Sequence, residues 1–317
     1  MGRYLLRRVG QTVIVLLVMS FVIYSLIGLM PGDPIDIMIG SNPNIAPAVA
    51  ASLRKLYGLD QPLLLRYWRW LIAALGGDLG YSRTHAQPVL HMLLPALWQT
   101  SKLMISSFVI SVGLSFILGI IAARRPGGAV DGTISLLAFA GISVPVFWLA
   151  LMMILVFAVG LHWFPASGIA TVGDGGLRDQ FMHLVLPVAT LSLATTGGFT
   201  RFVRASMIEV MRLDLVRTAR AKGASEARVV LIHAFRNALI PVVTVMALSF
   251  GVLFNGALLT ETMFAQPGMG KMIYDAILGN DFNLALSGLL FATLVTLVSN
   301  LAADLAYGWL DPRISLQ

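Results

Sequence analysis

From Val9 to Met30 the chain runs 22 residues without a charged side chain. As a helix that run would extend roughly 33 Å, enough to cross the hydrocarbon core of a bilayer. It is preceded by a short basic stretch holding Arg3, Arg7 and Arg8, and no small-residue cleavage site follows it. The pattern predicts an uncleaved first membrane helix rather than a secretory signal. Five more apolar runs follow, at Thr100–Ala123, Ile134–Gly160, His183–Thr200, Asn237–Thr260 and Leu284–Ala303. None alternates polar with apolar residues as a membrane barrel strand must. The fold class expected is therefore an all-α membrane protein with six transmembrane helices. The fourth run is the shortest, and Gly197-Gly198 falls near its end.

Charged residues make up 12% of the chain and hydrophobic ones 57%, with mean hydropathy +0.84. Soluble domains carry about 25% charge. A net charge of +7 and a pI near 10.0 would suggest nucleic acid in a soluble protein. Six spans give another explanation. Arg3, Arg7, Arg8, Arg124, Arg125, Arg201, Arg204, Arg212, Arg217, Arg220, Lys222, Arg228, Arg236 and Arg313, 14 of the 22 basic residues, then share one side. By the positive-inside rule that side is cytoplasmic, with both termini. No nucleic-acid partner is needed, and membrane lipid is the expected surrounding.

Between the first two runs lies a long extracytoplasmic region, Pro31–Gln99, opened by the turn residues Pro31-Gly32-Asp33-Pro34. Short helices are expected at Pro47–Tyr57 and Pro62–Leu75. The second is amphipathic and carries Tyr67, Trp68 and Trp70, an interfacial aromatic belt or a partner surface.

The most charged segment is Asp214–Pro241, DLVRTARAKGASEARVVLIHAFRNALIP. It reads as two short helices around a corner at Gly223, with Leu215–Lys222 first and a second capped by Ser225 or Glu226 that runs through Phe235. Glycine suits a residue past a helix C-terminus that needs positive φ. By pattern alone such a corner is a solvated loop, a lipid-facing element or a plug into a soluble partner.

Catalytic chemistry is hard to find. There is no HExxH or GxSxG, and His85, His91, His162, His183 and His233 are not spaced to share a metal. Without cysteine, disulfides and thiolate metal sites are excluded. Gly268-Met269-Gly270-Lys271 is half a phosphate loop, lacking the upstream glycine and the hydroxyl after lysine; a plain turn is the expectation. The spans are nearly free of ionisable groups, which proton-coupled carriers keep inside the membrane. Lys102, Glu261 and Asp304 sit at ends. Asn300, Asp304 and Tyr307 form an i, i+4, i+7 stripe, read as a pathway lining or a helix-contact set. A membrane enzyme with an unrecognised site is the competing class. An energy source outside the chain fits better.

Several landmarks stand in order along the chain: Pro31-Gly32-Asp33-Pro34, Tyr57-Gly58-Leu59-Asp60-Gln61-Pro62, Gly77-Asp78-Leu79-Gly80-Tyr81-Ser82, Ser143-Val144-Pro145-Val146-Phe147-Trp148 and Phe164-Pro165-Ala166-Ser167-Gly168. Thr218–Gly223 (TARAKG), Glu261-Thr262 with Pro267-Gly268, and Asp311-Pro312-Arg313 complete the set. In them the chain resembles, end to end, the permease subunits of the dipeptide/oligopeptide/nickel family of ABC importers, and in particular the first of the two permeases. The resemblance implies a type I importer permease fold, divided as residues 1–95 (first helix and extracytoplasmic region), 96–308 (five helices with a cytoplasmic coupling loop at 201–236) and a tail at 309–317. It implies a bacterial inner-membrane location and a non-catalytic role. It also implies three kinds of protein partner: a related second permease forming a heterodimer, two cytoplasmic ABC ATPases that bind ATP and Mg, and an extracytoplasmic solute-binding protein met by Pro31–Gln99. The chain itself would bind no cofactor. Di- or oligopeptides lead as substrates, with nickel chelates, glutathione-like solutes and oligosaccharides behind.

The family's Glu-Ala-Ala–Gly–Leu-Pro signature aligns by position with Arg217, Thr218 and Ala219, then Gly223, then Ile240-Pro241. No carboxylate stands at the first position; Asp214 lies just upstream. The ATPase-coupling residues implied are Asp214, Arg217, Thr218, Ala219, Arg220, Ala221, Lys222, Gly223 and Arg228, with Ala219 and Ala221 permitting close approach.

Overall fold

The structure, a computed structural model, describes residues 2–29, 49, 52 and 60–310, without the side chains of residues 2–5, 240, 255 and 303–310. The Pro31–Pro34 turn, the Pro47–Tyr57 helix, Tyr57–Leu59, the Asp311–Arg313 tail and the side chains of Arg3, Asp304 and Tyr307 lie outside that description.

Among the described residues the elements are helical. They are α1 (Gly2–Gly28), α2 (Leu63–Leu75), α3 (Val89–Arg124), α4 (Ala129–Ser143), α5 (Val146–Met153), α6 (Leu177–Met211), α7 (Asp214–Ala221), α8 (Glu226–Arg228), α9 (Phe235–Met263), α10 (Met269–Leu278) and α11 (Phe282–Leu310). A π-helical stretch, Ile154–Gly160, extends α5, and another, Val229–Ala234, joins α8 to α9. Two isolated bridges, Tyr81 with Pro88 and Thr171 with Asp174, are the described extended pairings.

Among the described residues, four helices are long and apolar enough to cross a membrane: Leu6–Gly28, Val89–Arg124, Leu177–Met211 and Phe282–Ala302. The other two apolar runs are bent. Ala129–Ser143 and Val146–Gly160 meet at 102°, and Glu226–Leu239 meets Pro241–Phe254 at 52°. Counting each bent pair as one span gives six. The first break is local chemistry. Pro145 has no N–H to donate and holds Val144 in an extended conformation (φ −83, ψ 124), so the helix stops at Ser143 and restarts. Ile134–Gly160 is thus not the single straight helix that its apolar run suggested. Pro241 sits at the second bend.

The fourth span also departs from expectation. Instead of a short helix ending near Gly197-Gly198, α6 runs 35 residues. Gly197 does not terminate it. A Cβ there would sit 2.3 Å from the carbonyl oxygen of Ala138, so the glycine lets α4 cross closely.

The chain divides into two compact units. One comprises Met1–Leu5, Gln99–Lys271 and Val295–Gln317, the other Leu6–Trp98 and Met272–Leu294. In the first, α6 is central and packs against α4, α5 and α9. Toward α3 the seam is polar and small. Ser111 Oγ donates to the Ser192 carbonyl (3.1 Å) and shares a hydrogen bond with Thr195 (2.6 Å), while Ser192 Oγ donates to the Ser107 carbonyl (3.2 Å). Such residues suit a membrane interior, where burial of apolar surface does little to hold one helix to another.

In the second unit α2 lies against α1. Tyr67 Oη is 2.7 Å from Ser20 Oγ, and its ring meets Phe21 and Tyr24 edge-on at 5.1 and 5.6 Å. Further along, Ser82 and Thr84 converge on Asp281, fixing the 77–82 landmark to the α10–α11 corner: Ser82 Oγ donates at 2.5 Å, Thr84 N and Oγ1 at 3.0 and 2.8 Å.

Candidate functional site

The corner at Gly223 is closed by backbone geometry. Gly223 has φ +80. Its N–H donates to the Arg220 carbonyl (2.9 Å), and the Ala224 N–H reaches back to the Ala219 carbonyl (3.2 Å). These two bonds, five-to-two and six-to-one, are a Schellman motif with glycine at the left-handed position. Ser225 occupies the N-cap position of α8 but its side chain makes no capping bond; its carbonyl receives the Val229 N–H at 2.9 Å. The second helix does not stop at Phe235. It continues through the π-helical stretch into α9.

Two faces of α7 are distinct. Val216 and Ala219 are buried in a core with Val203, Met207 and Val210 of α6, Val229 and Val230 of the π-helical stretch, and Ala238 of α9. Leu215, Arg217, Thr218, Ala221 and Lys222 are exposed. Of the residues expected to meet a partner, Ala219 therefore faces its own chain, and Ala221 is the small residue on the open side. Arg220 is also committed internally. It grips Glu226 across the corner, Nη2 to Oε1 at 2.7 Å and Nε to Oε2 at 3.1 Å. Arg217 pairs with Asp214 at 3.3 Å, with both side chains largely in solvent. The pairing of Arg220 went unread in the sequence, although Glu226 six residues on was the signal available.

A charged clamp between α4 and α6 also escaped the sequence reading. Asp131, at the start of α4, is buried and accepts from Arg204 of α6 through Nε (2.5 Å) and Nη2 (2.7 Å), and from the Gly127 N–H (2.8 Å). A lone acid just after the Gly127-Gly128 turn and ahead of an apolar run was its only trace.

The glycine pair of the half phosphate loop has another use. Glu261 is buried (1% exposed), and its carboxylate accepts from Thr100 Oγ1 and from the backbone N–H groups of Gly270 and Lys271, the last at 3.1 Å. Thr100 Oγ1 in turn accepts from the Met269 N–H at 2.8 Å. A Cβ on Gly268 would fall 2.1 Å from the Glu261 carboxyl carbon. The amides at the start of α10, the kind of donors that bind phosphate elsewhere, here hold this carboxylate. The segment is the N-terminus of a helix rather than a plain turn.

Gly168 (φ +82) closes the 164–168 landmark by donating to the Phe264 carbonyl (2.9 Å), and Gln266 Nε2 donates back to the Gly168 carbonyl (2.7 Å). Asn300 approaches α9 at Gly251, where a Cβ would come 3.7 Å from its Oδ1. An apolar cavity of about 440 Å³ lies alongside, lined by Phe108, Val112 and Phe116 of α3, Val243 and Met246 of α9, and Val298 of α11.

A bundle of this kind, without strands among the described residues and with several straight and bent apolar spans, defines a multi-pass helical membrane protein. Its fold resembles the MetNI methionine ABC transporter in inward-facing crystal forms, with TM-score 0.59 at 17% identity, covering 70% of this chain and 97% of that one. Residues 115–316 match the family "Binding-protein-dependent transport system inner membrane component", and residues 1–104 match its N-terminal companion. The chain belongs to this family: it is an ABC importer permease subunit of the inner membrane. Its relatives include a di/tripeptide transport system permease of Pseudomonas aeruginosa (37% identity over 334 residues), an oligopeptide transport system permease of Bacillus subtilis (34% over 316) and a dipeptide transport system permease of Escherichia coli (33% over 338). Each alignment covers 99% of both chains.

Proposed function

We propose that this chain is the first of two different permease subunits in a peptide importer, and that it moves di- or oligopeptides inward on energy supplied by ATPase chains. The observation that carries the substrate reading is full-length similarity, at 33–37% identity, to relatives named for dipeptide, di/tripeptide and oligopeptide transport. Residues 96–308 form the translocating body. Both termini and the α7 corner face the cytoplasm, where 14 of the 22 basic residues fall.

The corner docks into a cleft on a cytoplasmic ATPase. Arg217, Thr218, Ala221, Lys222 and Arg228 present its contact face, and Asp214 orients Arg217. A helix fixed to its own core by Val216 and Ala219 passes a push on as a rigid body, where a mobile loop would absorb it. Arg220 acts differently, as the internal staple that keeps the corner closed. ATP and Mg are handled by the ATPases, and solute arrives on an extracytoplasmic binding protein.

The test is uptake of radiolabelled dipeptides and oligopeptides by cells with and without this gene, alongside a nickel chelate and glutathione. Loss of peptide uptake alone supports the reading. Loss of chelate or glutathione uptake with peptide uptake intact overturns the substrate assignment.

A further inference from the structure

We propose that α2 is embedded in the half of the bilayer nearer the C-terminal end of α1, with its outward face covered by lipid acyl chains. The proposal rests on α1 being a membrane span. The position of α2 along α1 carries it. α1 qualifies as a span over Leu6–Gly28. Tyr67 of α2 reaches Ser20 Oγ at 2.7 Å and the Leu17 carbonyl at 3.4 Å. Ser20 is eight residues, about 12 Å, short of the end of α1 at Gly28, close to the middle of the span. Tyr24 then meets both Tyr67 and Trp70. A helix in water above the membrane could not touch α1 at that depth.

The side of α2 turned away from α1 is the second observation. Leu64, Trp68, Ile72 and Leu75 are 69%, 58%, 55% and 79% exposed, and Leu65 is exposed beside them. At helical spacing these five fall within about 100° of arc, with no polar side chain among them. α1 likewise exposes large apolar side chains, among them Ile14, Val18 and Leu26. Thirteen residues are too few to cross a bilayer. Arg66 and Arg69 occupy one edge between the two apolar arcs, and Arg66 hydrogen-bonds the Tyr24 hydroxyl. From there, long basic side chains reach headgroup phosphates.

One consequence is a smaller docking surface for the binding protein. Within Pro31–Gln99, α2 would be withdrawn into lipid, and the exposed loop at 76–87 would remain available.

Since the chain has no cysteine, single cysteines can be introduced without a background. The full-length chain carrying Trp68→Cys, Ile72→Cys or Leu64→Cys is spin-labelled in vesicles of phosphatidylethanolamine and phosphatidylglycerol. Collision rates with oxygen and with a water-soluble nickel chelate are then compared. Val18→Cys on α1 is the lipid reference and Val172→Cys, in an open loop, the water reference. Expected at all three α2 positions is a severalfold excess of oxygen over nickel collisions, matching Val18. Nickel rates like those at Val172 would place α2 in water, and low rates for both reagents would mean protein covers it; either overturns the proposal. A nickel-accessible Val18 would instead overturn the reading of α1 as a span.

Discussion

Replacing Gly223 with alanine, asparagine and valine separates the geometry of the corner from the fold of the chain. At φ +80 any L residue is strained, yet a Cβ at this position would meet nothing within 4 Å. The cost is therefore backbone strain without collision, about 1–2 kcal/mol for alanine, less for asparagine and more for β-branched valine. What holds the corner shut, apart from packing, is of the same size. The two Schellman bonds contribute about 1 kcal/mol each and the half-exposed Arg220–Glu226 pair less than that. Asparagine should be nearly silent and alanine should reduce uptake a few-fold. Valine, costing upward of 2 kcal/mol, shifts the corner equilibrium roughly thirtyfold or more, and uptake should fall to a small fraction. Total stabilities of about 5–15 kcal/mol leave the bundle folded in all three. The assay pairs peptide uptake with membrane levels of the chain by immunoblot. Wild-type uptake in Gly223→Val at normal membrane levels would refute the claim that this corner couples the permease to its motor.

Other outcomes follow from the buried charges. Asp131→Asn should lower stability by about 3 kcal/mol, because Arg204 loses a bidentate partner while remaining partly buried. Adding Arg204→Ala should cost little more, and thermal unfolding of the two singles and the double in detergent checks that non-additivity. Gly268→Ala should be more damaging than Glu261→Gln, by about 2 kcal/mol in the same assay, since the new methyl displaces the whole carboxyl group. Asp281 gives a pH signature. Burial raises its pKa, but donation by Ser82 and Thr84 outweighs that and holds it below the usual carboxylate range. A group depressed on folding stabilises above its unfolded pKa of about 3.9, and the benefit is lost as pH falls through the folded value. Stability should thus be insensitive to this group between pH 7 and 5 and decline in stronger acid. The gap between wild type and Asp281→Asn should be widest near neutrality and close on acidification.

Much of the architecture was readable from local rules, because a membrane span announces itself by length and apolarity and a glycine corner by its neighbours. Hydropathy was blind to bends inside apolar runs. Val144-Pro145 splits a run whose hydropathy is unbroken, although proline and its predecessor carry the signal. Gly197 shows the opposite error: a residue read as an end was a contact, which is decided by another helix distant in sequence. The same holds for charge. Arg204 was counted as a loop cation for orientation, whereas it sits in α6 and neutralises Asp131. Periodicity cannot pair residues across a bundle, so the clamp, the Thr100–Glu261 cap and the Ser82–Asp281 anchor had no signature beyond the presence of their members.

Packing links the corner to the cavity. Val216 and Ala219 share one continuous core with Met207, Val203 and Phe199 of α6 and with Val242 and Met246 of α9; Phe108, Val112 and Phe116 of α3 pack on its edge. Met246 and those three α3 side chains are also cavity wall. Gly119 tightens the same body, since a Cβ there would lie 2.6 Å from Val203. Interiors packed this closely resist compression and shift as blocks. A displacement entering at α7 would therefore reach the cavity wall largely undiminished, provided the Schellman turn and the Arg220–Glu226 staple keep α7 from peeling off its core.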